Sequence, residues 1–173
     1  MKAIALTVAA VFALSMSARS ADVTVKISEV HLCCKGCVAG VEKAVEKVDG
    51  AKVEADQEAG TVTLTGPDTA TVQKAAAALM KGGFFGKSSD PAIKMNARSG
   101  AKDQKVQSVK VEGVHLCCPK CVKAVDHAAK SVSGVKEQTA VKGAKSFEVT
   151  GDFNEKELFA ALQKEGFCGK VGK

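Results

Sequence analysis

The chain has 173 residues, room for one ordinary domain or two small ones, with 46% hydrophobic residues and a formal net charge of +6. It carries seven cysteines and seven phenylalanines but no tryptophan or tyrosine, and 4% aromatic content argues against base-stacking nucleic-acid modules and large aromatic-lined pockets. The charge excess is small and interspersed, so it describes a solvated surface and not a nucleic-acid-binding face.

Residues 1–21 read as a secretory signal. Lys2 supplies the positive start, Ala3 to Leu14 an apolar run, and Ser17-Ala18-Arg19-Ser20-Ala21 a small-residue cleavage zone. The run is too short to span a bilayer, which takes ~20 apolar residues, so no stable membrane insertion is expected once the signal is removed. Export, to a periplasm or the exterior, would place the cysteines in an oxidising compartment, where an odd number leaves at least one unpaired.

One unit is written twice. Val30-His31-Leu32-Cys33-Cys34-Lys35-Gly36-Cys37-Val38 returns 84 residues later as Val114-His115-Leu116-Cys117-Cys118-Pro119-Lys120-Cys121-Val122, and 11 of 21 positions match between 30–50 and 114–134. Val23 to Ile27 alternates with period two and predicts a strand, as does Val106 to Val111. After each cysteine loop an apolar stripe recurs at helical spacing: Val38, Val41, Ala44, Val45 and Val48, then Val122, Val125, Ala128, Ala129 and Val132. Gly50 and Gly134 sit where those helices would stop. Two short strands follow in each copy, over 51–56 and 60–65 and over 135–141 and 145–150. A second helix is expected over 69–82 and 154–165, capped by Thr69 and Asn154, with a last strand beginning at Phe84 and Phe167.

The order is βαββαβ, twice: an α+β chain of two ferredoxin-like units, each an antiparallel sheet with two helices on one face. The units would span 22–87 and 106–173. Residues 88–105 are polar and aperiodic and read as a flexible linker, one that spans roughly 20–25 Å on average and lets the units face each other.

Cys34-x-x-Cys37 and Cys118-x-x-Cys121 fall between the first strand and the first helical turn. One sulfur sits in the loop and the other at the helix start, where unpaired N–H groups favour thiolate. Adjacent thiolates suit soft ions such as Cu(I), and also Zn(II). Cys33 and Cys117 add a third sulfur beside each pair, and His31 and His115 a candidate nitrogen.

Strand, loop, C-x-x-C and helix in a βαββαβ unit of this size resemble the heavy-metal-associated domain of copper chaperones, metal-pumping P-type ATPases and periplasmic mercury-binding proteins. The resemblance covers both units. It implies that Cys34, Cys37, Cys118 and Cys121 hold the metal, with Cu(I) the first expectation and Zn(II) or Hg(II) the others. It also implies a metal-transporting ATPase or other metalloprotein as partner. Leu32 and Leu116 replace the family's buried methionine, a volume-conserving exchange. His31 and His115 replace its glycine, while Cys33 and Cys117 are additional; three sulfurs and an imidazole would build a trigonal or tetrahedral site and move preference from two-coordinate Cu(I) toward Zn(II). The resemblance also places Phe84 and Phe167 beside the metal loop, where they would shield it from water.

Two other classes stay open: a thiol–disulfide redox protein using the C-x-x-C pairs, and an interaction module with static disulfides. Against a redox enzyme, there is no tryptophan beside the motif and each unit is short for a thioredoxin fold. Carboxylate pairs, serine triads and phosphate-cradling loops are missing from the sequence, so no enzyme is expected. Cys168, matched by Phe85, reads as a small apolar position, and His127 as a surface residue. Lys35, Lys120 and Lys123 read as solvated, or as a docking face for an acidic partner.

Overall fold

The computed structural model describes residues 21–173, so the expected signal segment lies, apart from Ala21, outside the described residues. The first unit runs β1 (Val23–Ser28), α1 (Lys35–Val45), β2 (Lys52–Asp56), β3 (Thr61–Gly66), α2 (Thr69–Lys81) and β4 (Lys87–Ser88). The second repeats it as β5 (Lys105–Glu112), α3 (Pro119–Lys130), β6 (Val135–Gln138), β7 (Ser146–Asn154), α4 (Glu155–Lys164) and β8 (Lys170–Val171). The sheets are ordered β2-β3-β1-β4 and β6-β7-β5-β8, antiparallel throughout. This is the ferredoxin-like order in both units.

The alternation in β1 points Val25 and Ile27 inward, opposite Leu64 and Val62 of β3, and leaves Thr24 and Lys26 outside. Cys37, Val41 and Val45 of α1 and Val72, Ala75, Ala76 and Leu79 of α2 cover that face. Cys121, Val125, Ala128 and Ala129 of α3 and Leu158, Phe159 and Leu162 of α4 do the same over Val109, Val111, Phe147 and Val149. Each fully buried aliphatic side chain contributes about 1.5–3 kcal/mol, and the same stripe that buries the helix fixes where its first turn, and so its cysteine, must sit. Leu32 and Leu116 are buried beneath their loops.

Three local readings change. The α2 cap is Asp68, not Thr69: its carboxylate accepts the Thr71 N–H at 2.6 Å. Asn154 caps α4 as expected. Helices α1 and α3 stop several residues before Gly50 and Gly134, which instead turn the chain into the next strand with φ of 76° and 87°. The last strands are two residues long and start after Phe84 and Phe167, which pair with each other in an antiparallel bridge between the units.

The segment after β4 is fastened to both units and does not span them freely. Ser89 N–H donates to Lys26 O, the Gln73 amide brackets the Lys94 backbone at 2.7 and 3.0 Å, and Ile93 is buried. Further on, Val171 N–H donates to Ser99 O, Lys102 N–H to the Glu155 carboxylate, and Glu155 N–H to Gln104 O. One apolar anchor and a few side-chain-to-backbone bonds carry no periodicity, so this attachment is invisible to a pattern reading.

Candidate metal centre

The two units meet loop to loop across an approximate two-fold relation. Phe85 N–H donates to Gly166 O and Cys168 N–H to Gly83 O, both at 2.9 Å. The His31 ring stacks on Phe167 at 4.4 Å between centroids, and the His115 ring on Phe84 at 4.6 Å. Each pair crosses between units. Gly83, at φ 94°, is obligatory here: a Cβ on it would stand 2.5 Å from Gly113 O and His115 N of the other unit.

Cys34 and Cys118 sit at the N-caps of α1 and α3 in extended conformation, so each helix begins on the residue after its first C-x-x-C sulfur. Cys37 and Cys121 lie in the first turn and are fully buried, whereas Cys33, Cys34, Cys117 and Cys118 are half-buried. All seven cysteines are free thiols. The two loops converge on a single site. Cys33 Sγ lies 3.2 Å from Cys118 and 3.5 Å from Cys121 in the other unit, closer than to Cys37 of its own loop at 3.6 Å. Symmetrically, Cys117 Sγ lies 3.4 Å from both Cys34 and Cys37 and 3.6 Å from Cys121. The C-x-x-C pairs close at 3.9 and 3.7 Å, and Cys37 and Cys121 face each other at 3.9 Å.

The six sulfurs thus form an octahedron. Nine of its edges measure 3.2–3.9 Å. The other three, Cys33–Cys34, Cys34–Cys118 and Cys117–Cys118, stay within 4.8 Å. Opposite vertices are Cys33 and Cys117, Cys34 and Cys121, and Cys37 and Cys118. A metal–thiolate bond of about 2.3 Å sets sulfurs about 3.8 Å apart in a tetrahedral site and about 4.0 Å apart in a planar trigonal one. The nine edges of 3.2–3.9 Å lie at that spacing or a few tenths of an ångström inside it, so a small outward shift of the sulfurs seats soft ions at the faces, and all are far longer than a disulfide of ~2.05 Å.

A ring nitrogen of His31 stands within 4.8 Å of the Cys33 and Cys121 sulfurs. The Nε2 atoms of His31 and His115 are buried without hydrogen-bond partners. Burial holds His115 below the usual histidine range, which favours the neutral ring. Cys168 is buried, and burial pushes its thiol up to about 11; it joins none of the sulfur groups. His127 is exposed beside Glu165, away from the loops.

The thiols divide by environment. Burial pushes Cys33 up and Cys117 up to about 12. Burial also raises Cys34, but the Cys117 thiol and the N–H groups of Cys37 and Gly36 outweigh it and bring Cys34 down to about 7. Cys37 and Cys121 titrate as a pair: a Cys37 thiol donates to a Cys121 thiolate, which holds the proton on the first and keeps it off the second. The apo site therefore keeps several protons that a cation would displace. A cleft of about 560 Å³ lined by His115, Leu116, Cys117, Lys145 and Lys170 opens beside the cluster, giving solvent and incoming ligands a way to Cys117.

The loop cysteines and histidines were all legible in sequence. Gly83 and Gly166 and the role of Phe84 and Phe167 as stacking partners of the other unit's histidine were not. The repeated Gly-Phe at 83–84 and 166–167 was their signal.

No protein-family model matches the chain, and no curated protein matches it. Among solved structures, the solution structure of the N-terminal soluble domains of Bacillus subtilis CopA is similar, at 16% identity and a TM-score of 0.32, covering 88% of this chain and 95% of that chain. That likeness is too weak to bear on function, which rests on the sulfurs themselves. Among the described residues no helix is long and apolar enough to cross a membrane.

Proposed function

We propose that the chain is an exported carrier or buffer for soft metal ions, held by the merged C-x-x-C loops with at least one ion per loop and passed on by thiolate exchange. The observation that carries the reading is the convergence of six free thiols from two units at metal-bridging distances. Soft sulfur donors select Cu(I), Zn(II) and comparable thiophilic ions such as Hg(II) over hard cations. Cys34, Cys37, Cys118 and Cys121 are the principal ligands, Cys33 and Cys117 bind across the unit boundary, and His31 and His115 serve as supplementary donors or as the cover of the site. Exchange is supported by the half-buried outer sulfurs and by the cleft at Cys117, through which a partner's thiolate enters as one of the chain's own leaves. The receiving partner would be a metal-transporting ATPase or another metalloprotein. The chain is not an enzyme on this reading, and it works outside the cytoplasm after loss of residues 1–20 or so.

Anaerobic titration of the reduced chain with Cu(I), Hg(II) and Zn(II) tests it. Tight stoichiometric binding is expected, lost in a variant with Cys34, Cys37, Cys118 and Cys121 replaced; no binding by any of the three overturns the reading. Thiol counting on native protein separates it from the disulfide alternative, because a carrier keeps all six loop thiols titratable. The mass of protein recovered from the extracytoplasmic fraction checks export.

A further inference from the structure

The geometry points to a single four-ion cluster of monovalent soft metal, and not to separate ions at the two loops; this rests on the metal-binding reading above. An octahedron has eight faces, of which four can be capped without any two sharing an edge. Three of those alternating faces are Cys33/Cys34/Cys118, Cys34/Cys37/Cys117 and Cys117/Cys118/Cys121. The fourth is Cys33/Cys37/Cys121, with edges of 3.6, 3.5 and 3.9 Å and the His31 ring beside it. In this set each ion has three sulfurs, and each sulfur bridges two ions. No sulfur is left terminal and none is overused.

Distances and charge agree. Contacts between the two C-x-x-C units, 3.2–3.9 Å, are as short as those within a unit, 3.6–3.9 Å, so the cage offers no division into two independent sites. Cys37 and Cys121 are fully buried 3.9 Å apart, close enough for one ion on the Cys33/Cys37/Cys121 face to bond to both. Six thiolates face four monovalent ions, and the thiols still protonated before binding release their protons to solvent as the ions enter; no electron moves, and the product carries a charge of −2. The N-termini of α1 and α3, which begin at the cluster, offset that charge. Four divalent ions would instead leave a buried +2, so divalent metal is limited to a smaller count.

The test is anaerobic titration of the full reduced chain with Cu(I) from a chromophoric chelator, read by native mass spectrometry, with Ag(I) as a redox-inert monovalent probe and Zn(II) as the divalent one. The expected spectra jump from apo to four Cu(I) or four Ag(I) with one to three ions sparsely populated, while Zn(II) stops at two. Saturation at two Cu(I), or stepwise independent filling, overturns the cluster but leaves metal binding standing. Binding of no metal at all removes both. Cys34→Ser and Cys118→Ser, at half-buried positions, guard against mere unfolding. In the cluster either change opens two faces and abolishes the four-ion species, whereas independent loops would lose one ion and keep the other loop's affinity within twofold.

Discussion

Replacing Cys117 by alanine should make Cys34, 83 residues away in the other unit, a poorer nucleophile. The two sulfurs lie 3.4 Å apart, and the Cys117 thiol is the largest of the influences that lower Cys34 from 9.0 to about 7. A thiol of pKa 7 is about half ionised at neutral pH, one of pKa 9 about 1%. The N–H groups of Gly36 and Cys37 remain in the variant, and a higher pKa makes the residual thiolate intrinsically more reactive, so part of that ~50-fold range is retained. Alkylation of Cys34 in the reduced apo chain at pH 7 should slow about threefold to tenfold, followed by peptide mass spectrometry. Cys117→Ser, whose hydroxyl still donates, should restore part of the rate. An unchanged Cys34 rate in Cys117→Ala, with far-ultraviolet dichroism intact, would show that the loops do not meet in solution and refute the joint site.

The remaining expectations concern the interface and its protons. Gly83→Ala combines an unfavourable φ of 94° with a Cβ 2.5 Å from backbone of the other unit, so closure should weaken by about 1–3 kcal/mol, seen as a larger radius of gyration in solution scattering and weaker metal retention. Phe84→Ala removes a fully buried ring that also seats His115, and should cost about 3–5 kcal/mol in urea unfolding. Raised thiols stabilise the apo fold below their unfolded value of 9.0 and lose that contribution as pH rises through the folded one. Cys33, Cys37 and Cys117 keep protons in the folded state that the unfolded chain has lost, while Cys34 and Cys121 are ionised in both states above 9.0 and drop out. Apo stability should therefore fall from pH 9 toward 12 more steeply than that of a Cys33→Ala/Cys117→Ala variant, as measured by urea unfolding across that range.

By itself the sequence determined the unit. Period-two strands, helical stripes and a repeated loop specify local conformation and which face is buried, and the βαββαβ order of each copy matches the ferredoxin-like motif that the sheets then adopt. The ligand types and the C-x-x-C spacing at a helix start were equally local, because one helical turn sets the separation of Cys34 from Cys37 and of Cys118 from Cys121. Only the tertiary structure decided that Cys33 sits 3.2 Å from Cys118 and Cys117 3.4 Å from Cys34. That placement depends on how two folded surfaces meet: on glycines that admit a foreign backbone, on histidine–phenylalanine stacks between units, and on a connecting segment pinned by Ile93 and Gln73. Periodicity reports which face of an element is buried within its own unit; the partner across a loop-to-loop interface leaves no such imprint, so the number of sulfurs an ion meets is a property of the assembled chain.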